Sequence, residues 1–215
     1  MTVRGCPVLY ADAALLVLDK PPGLLSVPGR GDDKQDCVSA RVQAAYPDAL
    51  VVHRLDMATS GLMVMARGNE AQRRLNDAFA QRQVDKRYVA VVHGCLPRQP
   101  DAWADIDLPI MLDWPNRPRR VIDCAGGKPS LTRWRWLSRG LDATTTRVEL
   151  APLTGRSHQL RVHLKAIGHP IVGDALYGDP GRQEAGQRLL LHASGLALAH
   201  PTSAMPMHFT SAPAF

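Results

Sequence analysis

The stretch VVHRLDMATSGLMVMA, residues 51–66, places three polar side chains ahead of an apolar run. The run that begins at Gly61 predicts a buried strand. If a strand also extended from Val51 through Asp56, Arg54 and Asp56 would share one face, because residues two apart along a strand point the same way. Such a pair would lie at the end of a sheet or in a cleft. The pattern alone favours a structural ion pair over a reactive site.

The segments around this stretch predict an α+β fold. Strands are expected in ALLVLDK, KRYVAVVHG, TRWRWL, TTRVEL and RLLLHASGLALAH. Helices are expected in CVSARVQAAY with Asp36 as its cap, from Asn69 with Gln72 as a capping box, and in HQLRVHLKAI with Ser157 as its cap. Strands follow one another without strict strand–helix alternation, which predicts a largely antiparallel sheet.

Composition limits the class of protein. The 215 residues carry 26 Lys and Arg against 20 Asp and Glu, a net charge of +6 that suits an acidic partner such as nucleic acid or simply a solvated surface. The four cysteines form no C-x-x-C pair, so no zinc site or disulfide framework is predicted, and a reducing cytoplasm fits. There is no export signal and no apolar run of the roughly 20 residues that a membrane span needs.

Residues 109–123, PIMLDWPNRPRRVID, combine prolines with Arg117, Arg119 and Arg120. We interpret this segment as a stiff, exposed loop. Its arginines could grip a phosphate backbone, and the alternative is a purely structural loop.

A second polar cluster lies in PLTGRSHQLRVHLKAIGHP. On the predicted helix His163 shares an apolar face with Leu160 and Leu164, so a packed core histidine is expected rather than a ligand. Arg156 precedes the helix, where it is either a surface residue or the partner of a carboxylate. The H-E-x-x-H, G-x-S-x-G and glycine-rich phosphate-loop patterns are absent from the sequence.

Taken together, these segments show a family resemblance. HRLDMATSGLMVMA resembles the signature of the RluA family of pseudouridine synthases, and DKPPGLLSVPG, KRYVAVVHG, PLTGRSHQLRVHLKAIGHPIVGDALYGD and LLLHA match further family motifs in the same order. VPGR, HRLDMATSG and DWPNRPRR resemble its dual-specificity subgroup. The resemblance implies one catalytic domain over residues 1–215 without an N-terminal S4-like domain. It also implies a mixed, largely antiparallel, bent sheet flanked by helices, with a central active-site cleft.

The resemblance implies an isomerase that converts uridine to pseudouridine in 23S ribosomal RNA and in the tRNA anticodon stem-loop. The target base would be flipped out of its stack. No cofactor, metal or membrane is expected, and the enzyme would act as a cytoplasmic monomer.

The catalytic residues implied are Asp56, Tyr88 and Arg156. Asp56 would attack the ribose or the base, or abstract a sugar proton, and the sequence leaves these routes open. Tyr88 would stack on the uracil and take the C5 proton. Arg156 would pair with the aspartate.

The RNA-binding residues implied include Arg54, which would fill the space left by the flipped nucleotide, and the neighbouring His53. Leu160 and Leu191 match pocket positions, although a core role fits them equally. Residues 109–123 would close on the RNA. The alternatives are a non-catalytic RNA-binding module in ribosome assembly and a related synthase that acts on only one RNA class. A histidine-based nuclease is disfavoured by the apolar surroundings of His163.

Overall fold

The structure is a computed structural model that describes residues 2–97, 102–178 and 188–215. The chain divides into two compact units, Met1–Lys86 with His192–Ala214, and Arg87–Leu191 with Phe215. Strands and helices are numbered in order along the whole chain. Among the described residues, no helix is long and apolar enough to cross a membrane.

The first unit is built on an apolar central strand. Its strands are β1 (Thr2–Val3), β2 (Cys6–Ala11), β3 (Leu15–Lys20), β4 (Ala49–Val51), β5 (Ser60–Arg67), β12 (Leu191–Ala199) and β13 (Pro206–Thr210), and its helices are α1 (Val38–Gln43) and α2 (Asn69–Ala80). The order is β1-β2-β3-β5-β12, with β4 beside β5 and β13 beside β12. Seven of the eight residues of β5 are buried, as expected of a strand with both faces covered.

The second unit contains an antiparallel sheet and a separate hairpin. Its elements are β6 (Asp85–His93), β7 (Ala104–Asp107), β8 (Ile110–Leu112), β9 (Arg120–Ile122), β10 (Leu131–Arg139), β11 (Thr145–Pro152) and α3 (Gln159–Ala166). The sheet order is β6-β11-β10-β7, and β8 pairs with β9 alone. Helix α3 contacts β9, β10 and β11, so it fixes the hairpin beside the sheet.

The α+β prediction is confirmed. The strand pairs within each unit are antiparallel except for a short parallel contact of β5 with β12. The strands expected in ALLVLDK, KRYVAVVHG, TRWRWL, TTRVEL and RLLLHASGLALAH are present, as is the buried strand expected from Gly61. The prediction that His163 lies in the core is also confirmed, because its Nδ1 contacts Thr132 Oγ1 at 2.9 Å and its Nε2 contacts the Leu108 carbonyl at 2.9 Å. Burial lowers the pKa of His163.

The strand expected from Val51 through Asp56 is wrong. Strand β4 ends at Val51, and residues 52–59 form a loop before β5 begins at Ser60. Arg54 and Asp56 are therefore not neighbours on one strand face. The backbone of Leu55 bonds to the Ser26 hydroxyl instead of to a strand, and this contact is distant in sequence.

The expected helix caps are also wrong. Helix α1 is capped by Cys37, whose sulfur accepts from the Ala40 N–H at 3.4 Å, while Asp36 instead pairs with Arg41 at 2.6 Å. A nearby arginine thus competes for the carboxylate that would otherwise cap the helix.

The other two caps rely on backbone conformation. Helix α2 follows Gly68, which has a φ of 79°, and α3 follows His158, which has a φ of 58°. Gln72 does not close a capping box, because its amide donates to the Val51 carbonyl at 3.0 Å. These caps depend on tertiary contacts that the local sequence does not show.

The segment interpreted as a loop, residues 109–123, forms the β8–β9 hairpin. Its inward side chains belong to an apolar cluster, in which Ile110 is buried with Val162 and Tyr177 and Ile122 packs against them. Alternation of buried and exposed residues gives a strand even though prolines occupy the turn.

Candidate active site

The loop that carries Asp56 is held on both sides of that residue. The Leu55 N–H donates to Ser26 Oγ at 3.1 Å, and the Ser26 hydroxyl donates to the Leu55 carbonyl at 2.7 Å. The next turn closes through the Thr59 N–H, which donates to the Asp56 carbonyl at 3.1 Å. The position of the half-buried Asp56 is thus fixed by its neighbours.

Lys20 holds the residue that follows Asp56. Its side chain is 0% exposed, and its Nζ donates to the carbonyls of Pro21 (2.9 Å), Leu24 (2.7 Å) and Met57 (3.0 Å). The Gly23 N–H also donates to the Met57 carbonyl, at 2.9 Å. A buried lysine must satisfy its donors, and here the donors brace the Asp56 loop.

His53 is part of the same support. The Val64 N–H donates to its Nε2 at 2.9 Å, and its ring stacks on Phe79 with centroids 4.6 Å apart. Burial, with a smaller contribution from the charge of Lys86, lowers the pKa of His53 to about 3. His53 is therefore a neutral hydrogen-bond acceptor at physiological pH.

Arg54 differs from both of its neighbours because its side chain is exposed. His53 and Leu55 on either side are anchored to the protein, so the backbone of Arg54 is fixed while its guanidinium reaches solvent. This arrangement suits a residue that contacts an external ligand.

The start of β5 is fixed by contact with β12. Gly61 has a φ of 108°, and a Cβ added to it would lie 2.3 Å from the Ala193 carbonyl oxygen, so glycine is required. Ser60 Oγ lies 2.9 Å from Nδ1 of the buried His192, whose Nε2 lies 3.0 Å from Ser211 Oγ. These contacts explain why the small residues Ser60 and Gly61 follow the loop of residues 52–59.

In the second unit, Tyr88 lies on β6 opposite Leu150 of β11. Its side chain is half-buried. A strand in the sheet gives a tyrosine ring a defined position, which is what stacking against a flat ligand requires.

Arg156 lies in a loop that Gln159 organises. The Oε1 of Gln159 accepts from the Arg156 N–H at 3.0 Å and from the Thr154 hydroxyl at 2.8 Å. Its Nε2 donates to the Leu131 carbonyl and to Thr132 Oγ1, each at 3.0 Å. Among the described residues, the contacts of the exposed Arg156 guanidinium are two long ones of 3.4 Å with the Pro129 carbonyl. The loop backbone is thus ordered while the charge stays available to a ligand.

Tyr177 connects this loop to the hairpin. Its hydroxyl accepts from the Arg120 N–H at 2.8 Å and lies 2.7 Å from His158 Nδ1. Nearby, Arg161 and Asp174 form a buried bidentate pair with both contacts at 2.7 Å. The base of the hairpin is therefore attached to the turn that precedes α3.

The remaining predicted site residues fall into two groups. Arg117 and Arg119 are exposed in the hairpin turn, and Arg120 is half-buried on β9. Leu160 on α3 is 8% exposed and Leu191 at the start of β12 is 3% exposed, so both contribute to the core.

Sequence patterns missed four supporting residues, namely Lys20, Ser26, Gln159 and Tyr177. Lys20 ends the apolar run LLVLDK, and this position is also compatible with an exposed side chain. The others bond to partners more than twenty residues away or to backbone atoms, and spacing does not reveal such contacts. In the part of the chain that the structure describes, no group of three or more His, Cys, Asp or Glu could hold a metal ion.

Comparisons with known proteins agree on a family. The model of the family described as RNA pseudouridylate synthase matches residues 14–166. The chain is 48% identical over 202 residues to the "Dual-specificity RNA pseudouridine synthase RluA" of Yersinia pestis, which covers 94% of this chain and 96% of that protein. The protein of the same name from Escherichia coli (strain K12) is 47% identical over 202 residues. That alignment covers 94% of this chain and 90% of the Escherichia coli protein.

A solved structure shows the same fold. "Human RNA Pseudouridylate Synthase Domain Containing 1" matches with a TM-score of 0.79 and 30% identity, covering 99% of this chain and 85% of that one. The family expected from the sequence motifs is confirmed. The chain belongs to the RNA pseudouridylate synthase family.

Proposed function

We propose that this enzyme isomerises specific uridines to pseudouridine in 23S ribosomal RNA and in the tRNA anticodon stem-loop. The observation that carries the proposal is the braced loop of the HRLD motif, which holds Asp56 between Leu55 and Met57. The dual specificity named for the relatives from Yersinia pestis and Escherichia coli supports two RNA classes. We also propose that the protein acts in the cytoplasm as a monomer, without a metal or cofactor.

The chemistry is a redox-neutral rearrangement. The C1′–N1 glycosidic bond breaks, the uracil turns, and a C1′–C5 bond forms while C5 loses its proton and N1 gains one. The base must leave its stack, which costs less in a single-stranded loop than in a duplex.

Asp56 carries the reaction as an ionised carboxylate, which can attack the ribose or the base or remove a sugar proton. Tyr88 stacks on the uracil and takes the C5 proton. Arg156 is the third proposed catalytic residue and carries a permanent positive charge, since a guanidinium does not deprotonate in proteins. Its ordered loop and exposed side chain support this role.

RNA is held by exposed cations and by apolar surface. Arg54 occupies the gap that the flipped nucleotide leaves, and Arg117, Arg119 and Arg120 contact phosphates or base edges. Leu160 and Leu191 add apolar packing for the uracil. The contacts of His53 with Val64 and Phe79 support an indirect contribution, in which it positions Arg54 for the RNA.

The proposed function is tested with the variant Asp56→Asn. The matched control is Asp77→Asn, because Asp77 is an exposed aspartate on α2. Release of tritium from C5-labelled uridine in RNA should fall by at least about a hundredfold in Asp56→Asn, because the carboxylate is lost. The RNA affinity and the melting temperature of Asp56→Asn should stay at the wild-type values. The Asp77→Asn variant should behave as the wild type.

Retained tritium release in Asp56→Asn would refute the catalytic role of Asp56. RNA binding by the wild type without any tritium release would instead favour the non-catalytic module. Dual specificity is tested by deleting the gene and mapping pseudouridine in 23S ribosomal RNA and in tRNA. If pseudouridine were lost from only one of these RNA classes, dual specificity would be rejected.

A further inference from the structure

Trp114, in the turn of the β8–β9 hairpin, exposes 63% of its surface. Indole is a large apolar group that proteins usually bury or use for contact with a ligand. Exposure alone does not define a site. The surroundings of the ring, however, resemble a prepared stacking surface.

One face of the indole is covered by a cation. The guanidinium carbon of Arg117 lies 4.6 Å from the centre of the Trp114 ring, within the range of a cation–π contact. The pair holds the ring in place and puts a positive charge beside it. A flat, electron-rich ring with a cation behind it is suited to a nucleobase and its phosphate.

The turn that holds Trp114 is closed by several internal hydrogen bonds. The Asp113 carboxylate accepts from the Asn116 side chain at 3.0 and 3.1 Å and from the Asn116 N–H at 3.3 Å. The Asp113 N–H donates to the Arg119 carbonyl at 3.1 Å, and the Arg119 N–H donates to the Asn116 carbonyl at 3.0 Å. A preorganised turn loses little entropy when it binds a ligand.

The hairpin has one buried face and one exposed face. Ile110 and Ile122 pack into the apolar cluster with Tyr177, whereas the cross-strand partners Met111 and Val121 are exposed. The hairpin is therefore anchored at its base and presents Trp114 outward. The exposed Arg117 and Arg119 in the turn favour an anionic partner.

We propose that Trp114 is a stacking platform for an unpaired base of the substrate RNA, a contact separate from the one made by the flipped uridine. This inference rests on the proposed function. Stacking tolerates any base, because every base has a π face. One platform can therefore serve both a ribosomal RNA loop and a tRNA loop that differ in sequence.

The test compares Trp114→Leu with Trp114→Phe, and uses Met205→Ala as a control because Met205 is 64% exposed in the first unit. Affinity is measured for a transcribed tRNA anticodon stem-loop. Trp114→Leu should bind roughly 5- to 150-fold more weakly, as loss of one base stack predicts. Trp114→Phe should stay within about threefold of the wild type, since it keeps a π face.

The salt dependence of binding should stay the same in Trp114→Leu, because no charge is lost. Abasic substitutions across the RNA loop identify the stacked base. One abasic position should weaken wild-type binding and produce no further loss in Trp114→Leu. Melting temperatures are measured to show that each variant is folded.

Wild-type affinity in Trp114→Leu would overturn the proposal. Equal losses at every abasic position in both proteins would also overturn it. Tritium release is measured on the same wild-type preparation. If the protein releases no tritium but one abasic position still weakens its binding, the proposed function is refuted and the stacking contact is not.

Discussion

His53 shows how a single half-buried histidine, desolvated by folding, links stability to pH. Its pKa in the folded protein is lowered to about 3 from the ordinary value of 6.5, because burial disfavours the imidazolium. Between these values the unfolded chain binds the proton and the folded chain does not. The free energy of unfolding should therefore fall as pH drops below about 6.5, by up to about 1.4 kcal/mol per pH unit from this group.

The prediction is checked by urea unfolding at pH 7.5 and pH 5 for the wild type and His53→Gln, which keeps an acceptor for the Val64 N–H. The variant should lose less stability between the two pH values. His163, whose pKa is also lowered by burial, contributes in the same direction to both proteins and cancels in the comparison. If both proteins lost the same free energy of unfolding between pH 7.5 and pH 5, the lowered pKa would not belong to His53.

Individual residues also show which parts of the site a sequence can predict. The motifs pointed to Asp56 and Arg156 by their order along the chain. The bracing by Lys20 was not predicted, because its contact with the Met57 carbonyl spans 37 residues. A lysine at the end of an apolar strand is compatible with exposure until the fold places carbonyls around its ammonium group.

Among the elements, the hairpin and α3 depend on Tyr177. Tyr177→Phe removes the acceptor of the Arg120 N–H and the partner of His158, while the ring keeps its apolar packing. We expect hydrogen exchange at the Arg120 amide to accelerate by roughly fivefold, as loss of a hydrogen bond of about 1 kcal/mol implies. KM for RNA should rise more than kcat falls, because the hairpin is proposed to bind RNA.

The control is Tyr10→Phe, which removes a comparable hydroxyl contact with Asp12 in the first unit. It should leave exchange at Arg120 unchanged. Unchanged exchange in Tyr177→Phe would show that packing alone holds the hairpin.

At the scale of elements, strands were predicted better than helix ends and loops. The apolar run of β5 indicates burial directly, and the structure confirms both β5 and β6 as strands. A strand that continued through residues 52–56 was supposed from the sequence, but β4 ends at Val51 and these residues form a loop. The hairpin was mistaken for a loop because the prolines obscured two short strands of only three residues each.

Across the whole molecule, the distribution of ion pairs matters more than the net charge of +6. Many arginines are paired with acids, for example Arg41 with Asp36, Arg67 with Asp48, Arg74 with Glu70, Arg133 with Asp105 and Arg161 with Asp174. Within the described ranges, Arg54, Arg117, Arg119, Arg120 and Arg156 form no ion pair, and the same holds for Arg4, Arg30, Arg82 and Arg139. The arginines outside ion pairs thus include the four proposed to contact RNA, Arg54, Arg117, Arg119 and Arg120, and neither composition nor spacing could predict this.

This distribution predicts which arginines release counterions when RNA binds. Each phosphate contact with single-stranded RNA contributes about −0.7 to the slope of log affinity against log salt concentration. Arg117→Gln should therefore make the slope shallower by about 0.7. Arg74→Gln should leave it unchanged, because Arg74 lies 2.7 Å from Glu70 on α2 and is not proposed to contact RNA. Both variants lower the net charge by one, so equal slopes in the two would show that overall charge, rather than the unpaired arginines, governs binding.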